Sequence, residues 1–272
     1  MDSYIQRLLA KPTSYYMTGN QPSDLLMAVL RNGSLQRTKG AYYAFKQNPI
    51  TAAITGAAWA HANNGVNVLA FPGFTLEGTN LGGDASAATP PVQTAVGLDI
   101  GASTQTNSRG TSFDPGILAN DNQCFKVGTD GAFFFRIKAK IQTVTHANFC
   151  MGFRAAAARN ADPEGYDPCA ILQITGTNAS PRAIRSRTRT GATAVNTTLT
   201  GNTWASGATK ELAVIVDSGG RVSYEIDGVA PSAAVGYTFA ADTLAIPFVQ
   251  LIQGATASGT VELIEWDCGL VV

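Results

Sequence analysis

A β-hairpin is the strongest structural signal in this sequence, and it lies between residues 210 and 228. Two runs rich in β-branched and apolar residues, 210–217 and 221–228, flank a Ser-Gly-Gly turn. Gly219 and Gly220 can adopt the positive φ angles that a tight turn requires. The second run ends in another turn dipeptide, Asp227-Gly228. Because the same alternation of strand and turn recurs along the C-terminal half, the sequence predicts an all-β protein.

From about residue 121 the apolar residues follow the two-residue period of β-strands. In the run 133–142 one face carries Phe133, Phe135, Ile137, Ala139 and Ile141, and the other carries Phe134, Arg136, Lys138, Lys140 and Gln142. This alternation is typical of a strand with one buried and one wet face. Further strands are predicted at 66–71, 96–100, 148–155, 170–175, 184–190, 247–252 and 260–268. Short strands separated by Gly-rich turns predict an antiparallel β-sandwich over residues 61–272, with the clearest pattern in 121–272.

Residues 1–60 differ from the rest and are predicted to form a mostly irregular N-terminal arm. Two short helices are expected, at 3–9 and 22–30, each too short to be stable alone. Apolar and aromatic side chains of this arm are candidates for docking on a partner: Ile5, Leu8, Leu9, Tyr15, Tyr16, Tyr42, Tyr43 and Phe45. Packing of the same segment on its own domain is the open alternative.

The composition indicates a surface of neutral polar residues. Only 14% of the residues are charged and the formal net charge is +0. Such a surface repels copies of itself weakly, which suits a protein packed against neighbours, although an ordinary low-charge secreted protein would also fit. No global basic bias points to nucleic acid, and no apolar run approaches the roughly 20 residues of a membrane span. The N-terminus lacks the pattern of a secretory signal, so synthesis in a cytosol is expected.

Cysteine and histidine usage argues against a metal or disulfide framework. Cys124, Cys150, Cys169 and Cys268 are far apart and show no paired spacing. We expect them to be reduced and buried rather than cross-linked. The two histidines, His61 and His146, have no neighbour at metal-ligand spacing, and no cofactor is predicted.

The order of strands resembles a known family. The runs 133–140, 149–153, 210–217, 222–228 and 261–266 look like the concanavalin A-like (laminin G-like) jelly roll, over roughly residues 95–272. The neutral Ala/Thr/Gly/Asn-rich composition and the preceding arm are also similar to tailed-bacteriophage virion proteins, especially capsid decoration (cement) proteins. The resemblance implies an antiparallel sandwich on a capsid surface. The partners would be the major capsid protein and copies of the same chain.

Two chemistries found in the concanavalin A-like family, glycoside hydrolysis and calcium binding, each require a particular set of carboxylates. A glycosidase of this fold needs a further glutamate after Glu225-x-Asp227, and Val229 and Ala230 stand there instead, so no catalytic residue is assigned. The protein is therefore expected not to be an enzyme. A calcium site could use the acidic loop 162–167, although a solvated turn explains that loop as well. It could also use the scattered aspartates Asp114, Asp121 and Asp130. No metal is assigned.

A basic stripe is the densest charge cluster. In an extended strand Arg185, Arg187 and Arg189 share one face, opposite Ile184, Ser186, Thr188 and Thr190. The stripe could meet an acidic surface, a sulfated glycan or a phosphate backbone, or it could keep an edge strand from aggregating.

The leading functional prediction is a structural virion protein, made in a host cytoplasm, that decorates a phage head. The alternative is a carbohydrate-binding module of a phage tail or fibre. In that case a glycan would be the ligand, with Trp59, Trp204 and Trp266 as candidate platforms.

Overall fold

Seventeen strands make up the described part of the computed structural model. The structure describes residues 26–31, 34–47, 49–50, 66–71, 74–80, 91–100, 109–115, 125–142, 148–155, 165–175, 181–191, 195–252 and 261–271. The strands are β1 (Leu26–Arg31), β2 (Ser34–Ala44), β3 (Val66–Phe71), β4 (Phe74–Asn80), β5 (Val92–Gln93), β6 (Leu98–Asp99), β7 (Arg109–Pro115), β8 (Phe125–Lys126), β9 (Ala132–Ile141), β10 (Asn148–Ala155), β11 (Cys169–Thr175), β12 (Arg182–Arg189), β13 (Asn196–Trp204), β14 (Thr209–Val216), β15 (Val222–Ile226), β16 (Leu244–Ile252) and β17 (Val261–Val271).

The strands form two antiparallel sheets, which confirms the predicted all-β sandwich. The eight-stranded sheet runs β1-β2-β17-β9-β14-β15, and β5 and β6 join it beside β17. The nine-stranded sheet runs β13-β12-β11-β10-β16-β7-β4-β3, with β8 beside β16. Most neighbours are distant in sequence, such as β9 between β17 and β14, so long-range pairing rather than local hairpins defines the architecture. Within the described residues no helix is long and apolar enough to cross a membrane.

The predicted hairpin is present as β14 and β15, which pair from Leu212 with Ile226 to Val216 with Val222. The turn is closed by Asp217, whose Oδ1 accepts the N–H groups of Gly219 and Arg221 at 2.9 and 2.8 Å. Gly220 has a φ of +86°, and a Cβ atom there would collide with the carbonyl oxygen of Phe239. Glycine is therefore required at this turn.

The core lies between the sheets and is rich in aromatic residues. From β9, Phe133 packs edge-on against Phe153 of β10, with ring centroids 5.1 Å apart. Trp204 of β13 is fully buried, and its Nε1–H donates to the carbonyl of Ala208 at 3.0 Å. Trp266 of β17 is buried as well, so both tryptophans stabilise the sandwich and neither is a surface platform.

The N-terminal segment differs from its prediction wherever it is described. The helix expected at 22–30 is wrong, because Leu26–Arg31 form a strand that pairs with β2 along its whole length. Backbone pairing with β2 overrides the weak helical preference of this Leu-rich run. The strand β2 in turn pairs with β17, so residues 26–44 belong to the eight-stranded sheet. The first predicted helix lies outside the described residues.

Two aromatic residues of the predicted arm belong to the sandwich core. Phe45 is 0% exposed, and its N–H donates to the carbonyl of Ile264 at 2.8 Å. Its ring lies 5.6 Å from that of Phe74, and Tyr43 stacks parallel to Trp266 at 6.4 Å. These side chains thus pack within their own domain rather than present a docking surface.

The side chains of the other members of the arm set lie outside the described part of the structure. Tyr42 lies in β2 opposite Asp267, and its side chain is outside the described part. The remaining members, Ile5, Leu8, Leu9, Tyr15 and Tyr16, lie outside the described residues.

One position of the period-2 pattern also needs correction. Phe134 was expected on the wet face of β9, but it is only 4% exposed. Its cross-strand neighbours are Ile215 and Gly269, and glycine leaves room for the ring to lie against the sheet. Phe134 is therefore a buried apolar side chain on the outer side of the eight-stranded sheet.

Candidate functional site

The basic stripe lies on β12, and its residues alternate as the sequence predicted. Arg185, Arg187 and Arg189 are half-exposed, while Ile184, Ser186 and Thr188 are buried. The alternative that β12 is a protected edge strand is wrong, because β12 pairs with β11 on one side and β13 on the other. We call these three arginines the arginine ladder.

The ladder points outward because the inner side of β12 is covered. Ser186 Oγ accepts the N–H of Val235 at 2.8 Å, and Ser232 Oγ donates to the carbonyl of Thr200 at 3.1 Å. Thr200 Oγ1 donates to the carbonyl of Ile184 at 2.8 Å. The segment after β15 is thus fastened to the inner faces of β12 and β13. Ser186 bonds to this segment, and the arginines are left on the outer face.

Cross-strand register defines the neighbours of each arginine. Arg185 lies opposite Leu199 of β13, and Arg187 lies opposite Thr197. Thr197 is exposed, and Leu199 has 57% of its surface exposed, the second largest fraction among the exposed large apolar residues described. The ladder and these two side chains form an open band, which we call the outer strip: Arg185, Arg187, Arg189, Thr197 and Leu199.

Toward the middle of the same sheet the outer face is closed. Arg154 of β10 is 2% exposed, and its guanidinium lies 4.7 Å from the ring centroid of Tyr166 and 5.5 Å from that of Phe248. Its Nη1 donates to the carbonyl of Ala155 at 3.2 Å. The two rings pack edge to face at 5.4 Å. Cation–π contacts of this kind hold an arginine in place, so this closed patch is a structural border of the outer strip.

The charge around the ladder is uneven from one end to the other. Cys169 lies opposite Arg189, and burial raises the pKa of its thiol to about 12. The charge of Arg189 lowers this pKa and that of Asp167 raises it. Arg187 and Arg189 each have a further interaction partner. At the other end, Arg185 forms no ion pair with any described residue, and its buried Nε has no acceptor among them. The positive charge is therefore least compensated at Arg185.

The catalytic pair considered from sequence lies elsewhere. Asp227 occupies a turn with a φ of +54°, and its Oδ1 accepts the N–H of Glu211 at 3.0 Å. Its other carboxylate oxygen binds Lys210. Glu225 lies on β15 of the eight-stranded sheet, away from the outer strip. The turn interpretation of Asp227-Gly228 is confirmed.

The described acidic residues among those considered for calcium lie on separate elements. Asp130 Oδ2 accepts the N–H of Lys126 at 2.6 Å, and Asp114 lies in β7. Asp121, Asp162 and Glu164 are outside the described residues, as are Trp59, His61, His146 and Cys124. In the part of the chain that the structure describes, no three His, Cys, Asp or Glu side chains are grouped to hold a metal ion. Cys150, Cys169 and Cys268 are free thiols.

Sequence reasoning missed the partners of the ladder. The strand β13 was not predicted, although its run Asn196–Trp204 is rich in threonine and ends in tryptophan, both favoured in strands. Recognising it would have placed Thr197 and Leu199 beside the arginines. The two-residue period of a strand places Arg154 on the same face of β10 as Gly152 and Cys150. Its stacking on Tyr166 and Phe248 was not predictable, because the three side chains come from separate segments.

Comparisons with known proteins report on the fold. No protein-family model and no curated protein matches the chain. Among solved structures, the Emp47p carbohydrate recognition domain is 12% identical with a TM-score of 0.50, covering 67% of this chain and 86% of that one. The potassium-bound Emp46p carbohydrate recognition domain is 7% identical with a TM-score of 0.51, covering 73% and 89%. A legume lectin-like domain from Entamoeba histolytica is 8% identical with a TM-score of 0.49, covering 74% and 91%.

Capsid decoration stays a prediction, because nothing in these comparisons tests it. The similarity to the Emp47p and Emp46p domains concerns the fold alone, at identities far below those that would show a shared function. It agrees with the family resemblance seen in the order of strands. The chain has the concanavalin A-like sandwich fold of lectin-like domains.

Proposed function

We propose that this protein binds carbohydrate through the outer strip of β12 and β13. The observation that supports this most directly is the arginine ladder, three partly exposed arginines at consecutive outward positions of an interior strand. Each guanidinium presents up to five N–H donors, which suit oxygen-rich ligands. The exposed Leu199 supplies an apolar surface for the C–H groups of a sugar ring, and the Thr197 hydroxyl can donate or accept.

The fold supports the same proposal. The two structures with TM-scores of 0.50 and 0.51 are described as carbohydrate recognition domains. This favours the carbohydrate-binding alternative of the sequence analysis over capsid decoration. No contact among the described residues supports capsid decoration. We expect binding without cleavage.

The rigidity of the strip favours affinity. Because β12 is hydrogen-bonded on both sides, its backbone does not have to become ordered when a ligand binds. Only the arginine side chains lose freedom, and their planar donors lose less of it per hydrogen bond than a lysine would. The strip therefore resembles a preorganised flat platform rather than a closing pocket.

The proposal is tested by blocking the strip with a bulky label. Thr197→Cys, modified with a polyethylene-glycol maleimide, covers the strip beside Arg187. The matched control is Ser223→Cys carrying the same label, since Ser223 is an exposed residue on β15, the edge strand of the other sheet. Binding is measured as the retardation of the protein during electrophoresis in gels that each contain one polysaccharide of a panel. The parent chain without an added cysteine, treated with the same reagent, shows how much labelling of the native cysteines contributes.

We expect the parent and the labelled Ser223→Cys protein to be retarded by at least one polysaccharide. The labelled Thr197→Cys protein should bind roughly tenfold more weakly or not at all, because the label excludes a ligand from the strip. A parent chain that no polysaccharide retards, or two labelled variants with equal retardation, would refute binding at this strip.

A further inference from the structure

We infer that the glycan is an anionic polysaccharide whose repeating carboxylate or sulfate groups lie along the arginine ladder. This inference rests on the proposed function and specifies its ligand class. It starts from the position of the ladder, because three guanidinium groups share one outward face of one strand. Carboxylate and sulfate oxygens match the fork of donors that a guanidinium presents.

The spacing of the ladder favours a polymer over a single small anion. Alternate residues of a strand are about 7 Å apart. The three guanidinium groups therefore form a row, and a single carboxylate can bind only one or two of them. A chain that carries an acidic group on successive sugars can bind all three. Leu199 and Thr197 flank the row along β13, so the same chain would contact uncharged parts of the strip.

The attraction is local rather than global. The whole protein has a formal net charge of +0, so long-range attraction does not concentrate anions on it. The uncompensated charge is at Arg185, which has no ion pair among the described residues, whereas Arg189 has a further interaction partner. We therefore expect Arg185 to contribute more to binding than Arg189.

Single-stranded nucleic acid is the less favoured anionic polymer. Proteins that bind it combine basic grooves with aromatic side chains on which bases stack. The described aromatic residues on this outer face, Tyr166 and Phe248, are buried under Arg154 and are not available to bases. The exposed neighbours of the ladder are a threonine and a leucine.

The test compares polymers that differ only in charge. Dextran and dextran sulfate share one backbone, and polygalacturonate and its methyl ester share another, so the two pairs separate sulfate from carboxylate. The protein variants are the triple substitution Arg185→Gln, Arg187→Gln, Arg189→Gln and a control of equal charge change, Lys46→Gln, Lys126→Gln, Arg221→Gln. The control residues are exposed or half-exposed and lie away from β12.

We expect the parent to bind at least one anionic polymer at least tenfold more tightly than its neutral counterpart. The ladder triple variant should lose roughly a hundredfold in affinity and the control variant less than threefold, as measured by biolayer interferometry at 50 mM salt. Binding should weaken as salt rises to 300 mM. Among single variants, Arg185→Gln should bind more weakly than Arg189→Gln.

Three results would overturn the inference. Equal affinity for the neutral and anionic members of each pair would mean that the protein binds glycans without recognising their charge. The inference would then be wrong, while the proposed function would remain. Equal losses in the ladder and control variants would mean that net charge, and not the ladder, attracts the polymer. Tighter binding of poly(dT) than of either anionic glycan would assign the ladder to nucleic acid. Absence of binding to all four polysaccharides and to the wider panel would instead contradict the proposed function itself.

Discussion

The outer faces of the two sheets both carry arginine, but in opposite settings. On the eight-stranded sheet, Arg136 of β9 is enclosed by carboxylates: its Nε bonds to Asp267 at 2.9 Å, and Nη1 and Nη2 reach Glu211 at 2.8 Å and Glu265 at 3.3 Å. These three acids come from the two strands on either side of β9. On the nine-stranded sheet, the described neighbours of Arg185 in the register are Gln173 and Leu199.

The difference shows how the same residue type is structural on one face and available on the other. Burial alone would lower the pKa of Arg136, but the charges of Asp267, Glu211 and Glu265 raise it well above its ordinary value. The guanidinium thus stays charged and links β14, β9 and β17. Among the described residues Arg185 has no comparable set of acids, so its charge remains directed to solvent or a ligand.

The largest expected effect comes from removing the enclosed arginine. Arg136→Met keeps the approximate length of the side chain but leaves Asp267, whose side chain is 2% exposed, without its cation. Breaking a buried pair in this way costs about 3–5 kcal/mol. We expect that loss in the free energy of unfolding, measured by urea denaturation at pH 7.

The control for this substitution is Lys138→Met on the same strand. Lys138 lies 3.7 Å from Glu265 and its side chain is 41% exposed, so its ion pair is worth at most about 1 kcal/mol. Equal destabilisation by Arg136→Met and Lys138→Met would show that burial does not distinguish the two, and the comparison between the faces would lose its basis.

The sequence was sufficient for features that depend on local chemistry. The hairpin of β14 and β15, the alternation on β9 and the outward direction of the arginines follow from residue spacing and turn glycines. The sandwich class follows from many short strands. In the candidate site, the three arginines were therefore identified from the sequence, although their position on an interior strand was not.

Features that depend on long-range pairing were not predictable. Pairing with β17 makes β2 an interior strand, which buries Phe45 beside Phe74 and Ile264. Nothing in the local sequence distinguishes that outcome from a docking arm. Likewise, whether Arg136 or Arg185 has carboxylate neighbours depends on which strands lie beside them. Both arginines alternate with buried residues, and the sheet order decides which charges lie beside each.

A smaller effect distinguishes the closed patch from the outer strip, because Cys169 lies in one buried cluster with Tyr166 and Phe248 of that patch. Burial raises the pKa of Cys169 to about 12, above the value of 9.0 for an exposed thiol. Below pH 9 both states keep the proton and stability is unaffected. Between pH 9 and 12 the unfolded thiol ionises while the folded one does not, so stability falls by up to about 1.4 kcal/mol per pH unit. Cys169→Ala should reduce the slope of unfolding free energy against pH, measured by urea denaturation from pH 8 to 10.5.

Cys268 provides a matched thiol for the same measurement, because burial also raises its pKa to about 12 and it lies in β17 of the other sheet. The variants Cys169→Ala and Cys268→Ala should reduce the slope by similar amounts. An unchanged slope in Cys169→Ala would mean that solvent reaches this thiol, and the patch beside the ladder would then be open.

The smallest expected effect is on the stability of a ladder variant. Arg185→Met removes a partly exposed side chain that has no ion pair among the described residues, and it also removes a buried Nε donor without an acceptor there. Substitutions of this kind change the free energy of unfolding by no more than about 0.5 kcal/mol. Urea denaturation of Arg185→Met and Arg136→Met side by side should therefore show a large loss only in the latter. A loss of about 2 kcal/mol in Arg185→Met would make the ladder a structural element like Arg136, and its assignment to ligand binding would have to be abandoned.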